Sequence, residues 1–155
     1  MSRKKFKPKG FEKIGSSNLS STLYASMLQS DAFLNLSSNA MKLYVYMKLQ
    51  YYGQHDKPLG KQDHFFFNRA MYTKIYPIFS NGEQFAKYSH ELIKNGFIEE
   101  IENGKNTRTK SIYKFSDKWQ SWKPGEDFRN VATIKHDEKL KNKRREQELK
   151  RRNKS

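Results

Sequence analysis

Apolar positions recur along this chain with helical spacing in two places. Between Asn39 and Tyr52, the residues Met41, Tyr44, Val45, Leu49 and Tyr52 follow i, i+3, i+4, i+8 and i+11. That is a wide apolar face and predicts a helix, capped by Ser37 or Ser38 and stopped by Gly53. Between Ser80 and Gly96, a wheel of about 100° per residue puts Phe85, Ser89, Leu92 and Ile93 on one side. Lys87, Lys94, Glu83 and His90 fall opposite, with Gln84 and Glu91 on the flank. This second helix has Ser80 as its expected N-cap and Glu83 three residues later as its capping-box partner. Gly96 is its expected stop, because glycine adopts the left-handed conformation without a Cβ penalty.

Shorter apolar runs surround these helices. Phe97 to Ile101 and Lys110 to Ser116 read as strands, joined through Asn103-Gly104, a strong hairpin signal. Phe65-Phe66-Phe67 reads as a third strand that pairs with them. Met71 to Phe79 reads as a short helix ending near Tyr76, since Pro77 removes a helical hydrogen bond. Ser80-Asn81-Gly82 then supplies the turn of a helix-turn-helix. In Leu23 to Leu36, Leu23, Met27 and Leu28 have helical spacing, and Asp31 is placed to cap a turn presenting Phe33 and Leu36. Trp119 and Trp122 are expected to pack back on the domain, and Pro124-Gly125 marks its edge. The layout is α+β: a winged helix-turn-helix with a small antiparallel sheet and basic disordered or helical tails. It divides into a basic arm (1–22), the domain (23–124) and a charged basic tail (125–155).

Charge changes the picture from fold to partner. The 155 residues carry a formal +15, from 31 basic and 16 acidic groups. Residues 1–16 hold six basic groups and one acidic, residues 17–124 hold 14 and nine, and residues 125–155 hold 11 and six. Each section is therefore +5, and the short tails are far more basic per residue than the domain. A polyanion is the partner this balance favours; the plainer reading is solubility. Ile134 to Arg152 has Leu140 and Leu149 as nearly its only large apolar residues, so it reads as a solvated, partly helical basic tail, suited either to fold along a phosphate backbone or to stay without a fixed partner.

The absence of cysteine excludes disulfides, zinc fingers and thiol catalysis. No run approaches the ~20 apolar residues of a membrane span, and the basic N-terminus lacks the apolar core of a signal peptide. A cytoplasmic protein is expected. His55, His64, His90 and His136 have no metal-ligand spacing, and His136-Asp137-Glu138 lies in the charged tail. Glu99 and Glu100 would point to opposite faces of a strand. No phosphate-cradling glycine loop is present. The expectation is a protein that is not an enzyme and uses no cofactor.

Candidate chemistry therefore concentrates on nucleic-acid contact. Asn81, Glu83, Gln84, Lys87 and Tyr88 lie on the first turns of the second helix, the end that reaches base edges in helix-turn-helix proteins. Gln84 has the donor and acceptor pattern for adenine and Lys87 the donor for guanine; Glu83 serves either as a contact or as a cap. Lys105, Arg108 and Lys110, at or near the hairpin tip, suit phosphates, as does Lys94, which reads equally well as solvated. Tyrosines at helical spacing read as core before they read as stacking platforms.

Three segments carry a resemblance. They are Leu36-Ser-Ser-Asn-Ala-Met-Lys-Leu-Tyr-Val-Tyr-Met-Lys48, Glu91-Leu-Ile-Lys-Asn-Gly-Phe-Ile98 and Tyr113-Lys-Phe-Ser-Asp-Lys-Trp-Gln-Ser-Trp122. Over roughly residues 23–122 the chain resembles small winged-helix proteins of plasmids, conjugative elements and prophages of low-GC Gram-positive bacteria. It is similar to the N-terminal winged-helix domains of plasmid replication initiators and to accessory proteins that bind near origins of transfer. The resemblance implies sequence-specific double-stranded DNA binding in replication, conjugative transfer or regulation of a mobile element. It carries no catalytic residues. No second folded domain like that of the initiators is expected in this chain, which leaves an accessory or regulatory role. Expected partners are duplex DNA, a relaxase or replication protein, and a second copy of the chain on a palindromic site. Two other readings stand beside it: a protein-recruitment module with non-specific DNA binding, and RNA binding through the basic tails.

Overall fold

The computed structural model describes residues 22–53, 58–104 and 110–153. The N-terminal arm and the hairpin tip that carries Lys105 and Arg108 lie outside the described residues. Two single-turn helices come first, α1 (Ala25–Leu28) and α2 (Asp31–Leu34). The cap of α2 is Ser30, not Asp31: the Ser30 Oγ accepts from the Phe33 N–H at 3.2 Å and donates to the Met27 carbonyl at 2.6 Å. One hydroxyl thus ties both turns together.

The next helix, α3 (Ser38–Gly53), begins where Ser37 Oγ accepts the Ala40 N–H at 3.3 Å. It buries Ala40, Leu43, Tyr44 and Met47, while Met41 and Leu49 are half-buried and Val45 is exposed. The buried stripe is thus rotated from the one the largest apolar residues suggest. Lys48 is buried on the same helix. Its Nζ donates to the Thr22 carbonyl at 3.1 Å and sits over the rings of Tyr44 and Phe115. Burial lowers its pKa, and the two aromatic faces favour the cation.

Strand β1 (His64–Phe66) leads to a single wide turn over Met71–Ile75, closed by the Tyr76 N–H on the Met71 carbonyl at 2.7 Å. Pro77 follows directly, as its missing donor requires. Helix α4 (Gly82–Lys94) then packs Leu92 and Ser89 inward. Its N-cap is Asn81, one residue later than Ser80: the Asn81 side chain accepts the Gln84 N–H at 2.9 Å. Gln84, rather than Glu83, reaches back, accepting the Ser80 N–H at 3.3 Å. The Gln84 side chain thus meets the residue before the cap, Ser80, and not the N-cap itself.

At the far end Gly96 has φ +79°, and a Cβ there would lie 2.7 Å from the Trp119 backbone nitrogen. The Trp119 N–H in turn bonds the Gly96 carbonyl at 3.1 Å. The chain then enters β2 (Ile98–Glu102) and returns in β3 (Ile112–Phe115). All pairing is antiparallel and β3 is central, in the order β1-β3-β2. Ile98 faces Phe115 and Glu100 faces Tyr113 on one side, and Phe65 faces Tyr113 on the other. A bulge lies between Glu100 and Glu102. Helices and a small three-stranded antiparallel sheet make the fold α+β.

The core lies between the sheet and the helices α3 and α4 and is strongly aromatic. Phe65 stacks on Phe115 at 4.7 Å, Tyr72 on Phe85 at 4.5 Å, and Phe97 on Trp119 at 6.1 Å. Such pairs add to the apolar burial itself. Both tryptophans pack against the domain as expected, with Trp122 buried and its Nε1 donating to the Glu126 carbonyl at 3.1 Å. After Gly125 the chain comes back to α4, where the Phe128 N–H bonds the Lys94 carbonyl at 3.2 Å. It ends in α5 (Val131–Arg152), capped by Asn130 on the Thr133 N–H at 2.8 Å. Among the described residues, no helix is long and apolar enough to cross a membrane.

Candidate nucleic-acid interface

Two side chains of α4 fix it against α3. Glu91 accepts from the Ser37 N–H at 2.5 Å and the Ser37 Oγ at 2.8 Å. Tyr88 stacks on Phe79 at 5.3 Å, and its hydroxyl accepts from Asn39 Nδ2 at 3.0 Å. Tyr88 is therefore a half-buried brace between helices, not a free ring. Asn81 spends its carbonyl oxygen on the cap, and Gln84 spends Oε1 on Ser80. The Gln84 amide nitrogen stays on an exposed side chain. Lys87 is exposed, with Nζ 5.2 Å from the Tyr88 ring centroid. Lys94 is half-buried, beside Asp127. Lys110, just outside β3, is exposed over the Phe66 ring. Asn81, Glu83, Gln84, Lys87 and Lys94 thus sit on one helix, while Lys110 belongs to the hairpin base.

The chain after Pro124 adds what spacing did not reveal. Asp137 of α5 accepts from His90 Nδ1 of α4 at 2.9 Å and from Arg129 at 2.8 Å. Arg129 forks onto Asp127 at 2.6 to 3.2 Å. The Arg129 hydrogen bonds hold the Asp127 carboxyl below its usual pKa, and Asp127 and Asp137 raise that of Arg129. Further along, Arg144 donates to Glu83 at 3.0 Å. His136-Asp137-Glu138 is therefore in a structured setting, contrary to the expectation for a free tail. Thr133, Ile134, Asp137 and Leu140 are half-buried against the domain, although α5 has no fully buried residue.

The two cross-helix contacts fix the direction of α5. Going from His90 to Glu83 along α4 corresponds to going from Asp137 to Arg144 along α5, so the helices run antiparallel. The resulting surface joins the exposed edge of α4 to a helix whose residues 141–152 are all exposed. Seven of those residues are basic and two acidic. Nothing in the sequence links His90 to Asp137 across 47 positions except that both are polar residues on helices.

Elsewhere, Tyr24, Lys48, Glu99, Lys114 and Trp119 line an open groove of about 630 Å³. The Lys48 ammonium there is already held by Thr22 and two rings. Among the described residues, no group of three or more His, Cys, Asp or Glu side chains is arranged to hold a metal ion. No protein-family model matches the chain, and no curated protein or solved structure matches it.

Proposed function

We propose that this protein is a winged helix-turn-helix protein that binds double-stranded DNA sequence-specifically, with α4 as the reading helix. The observation that carries the reading is the order of elements around the sheet. Helix α3, strand β1, the turn at Met71–Ile75, helix α4 and the β2–β3 hairpin follow one another, with β3 between β1 and β2. A winged helix-turn-helix has this order of elements, and in that fold a helix enters the groove while the hairpin follows the backbone. Gln84 and Lys87 supply base-edge chemistry from the exposed edge of α4. Lys110, with Lys105 and Arg108 of the hairpin sequence, supplies phosphate contacts, and the net charge of +15 favours the encounter.

The resemblance to winged-helix proteins of mobile elements fits this reading, and replication, conjugative transfer or regulation is the proposed setting. A relaxase or replication protein is the proposed protein partner. The test is selection from a randomised duplex library at about 150 mM salt, where the Debye length is ~8 Å. Enrichment of one motif that Gln84→Ala or Lys87→Ala weakens is the expected result. Retention without enrichment would replace sequence reading by charge-driven binding, with specificity supplied by a protein partner.

A further inference from the structure

We infer that α5 is a fixed phosphate-contacting arm: its flank carrying Lys141 and Arg145 lies along the DNA backbone beside the groove that α4 enters. This rests on the DNA reading above and adds a second element to that interface. A basic tail without a fixed course would be only a solvated charge. Here the course is fixed. The Phe128 N–H on Lys94, the Asn130 cap, and the chain Asp127–Arg129–Asp137–His90 anchor the start of α5 on α4. Arg144 on Glu83 keeps it aligned one further stretch along.

Position follows from the helical wheel. Relative to Phe85, which faces the core, His90 lies about 140° round α4, Lys87 about 200° and Gln84 about 260°. Helix α5 therefore flanks the Gln84–Lys87 edge instead of covering it. Packed helices lie about 8–10 Å apart, and the major groove is about 12 Å wide and admits one helix. With α4 in the groove, a neighbour at that spacing falls on the phosphate ridge. Both helices are right-handed and they run antiparallel, so the flank of α5 on the Gln84–Lys87 side is the one bearing Lys141 and Arg145. Lys139 and Lys143 occupy the other flank. Lys141 and Arg145 are exposed and form no ion pair among the described residues. From Lys141 to Arg152 the helix runs about 18 Å at 1.5 Å per residue. Its single large apolar residue there is Leu149, too little to bury against a protein helix.

The experiment uses the full chain and a labelled mixed-sequence duplex, titrated between about 50 and 200 mM salt. Lys141→Gln with Arg145→Gln is expected to weaken binding about tenfold or more and to make the log–log salt slope shallower by about 1.8, two phosphates' worth. Lys139→Gln with Lys143→Gln removes the same charge from the other flank and is expected to change affinity less than twofold. Asp137→Asn makes the chain one unit more positive, yet is expected to weaken binding and flatten the slope, because the arm loses its seat. Equal effects of the two double variants, or tighter binding by Asp137→Asn, would overturn the arm. Tighter binding to an RNA duplex, whose narrow major groove admits no helix, would overturn duplex DNA as its partner. If the wild-type chain binds no duplex at all, the DNA reading itself falls, and the arm with it.

Discussion

At Gly96 two demands meet on one residue. The backbone is left-handed there, and the space a Cβ would fill is occupied by Trp119 and Lys118. Gly96→Ala is expected to destabilise the fold by about 3 kcal/mol, from backbone strain and the clash together, as read by urea denaturation. Glu100 poses a different problem. Burial raises its carboxyl pKa, against the opposing pull of His90 and hydrogen bonds from Asn103 and Tyr113. With the folded pKa above the unfolded value, its contribution is fully present below the unfolded pKa, roughly 4.3. It is lost as pH rises through the folded pKa. Glu100→Gln is therefore expected to raise the melting temperature at about pH 7, with the gain vanishing near pH 3. Gly96 is legible in the sequence because it obeys a local backbone rule, the left-handed stop of a helix. The burial of Lys48 is not, because the groups that hold its cation come from Thr22 and Phe115, far away along the chain.

Among the elements, α3, α4 and the strands are legible because each carries its own apolar period or turn signal. Their caps are less so: Ser80 and Asn81 are both good caps, and only the geometry decides for Asn81. Asn81→Ala is expected to cost about 1 kcal/mol by removing that cap. The docking of α5 is hidden for a physical reason. It is held by polar contacts at separations of 47 and 61 residues, and such contacts leave no periodic trace. They also make α5 easy to loosen. Arg129→Gln is expected to speed amide hydrogen exchange over 131–140 by severalfold while leaving α4 unchanged, because no residue of α5 is fully buried.

At the scale of the whole molecule, charge and architecture point the same way. Contacts between α4 and α5 put one helix edge and one basic helix side by side, and the chain carries +15. The groove beside Lys48 carries mixed charge from Glu99, Lys114 and Asp117, a poor match for a polyanion. The most direct test is to titrate the isotope-labelled full chain with duplex DNA and map the amide shifts by NMR. Shifts concentrated on Asn81–Lys87, Lys110 and 137–152, with Tyr24 to Leu34 unmoved, are the predicted result. Shifts centred on α1, α2 and the groove beside Lys48 would contradict it, as would none at all.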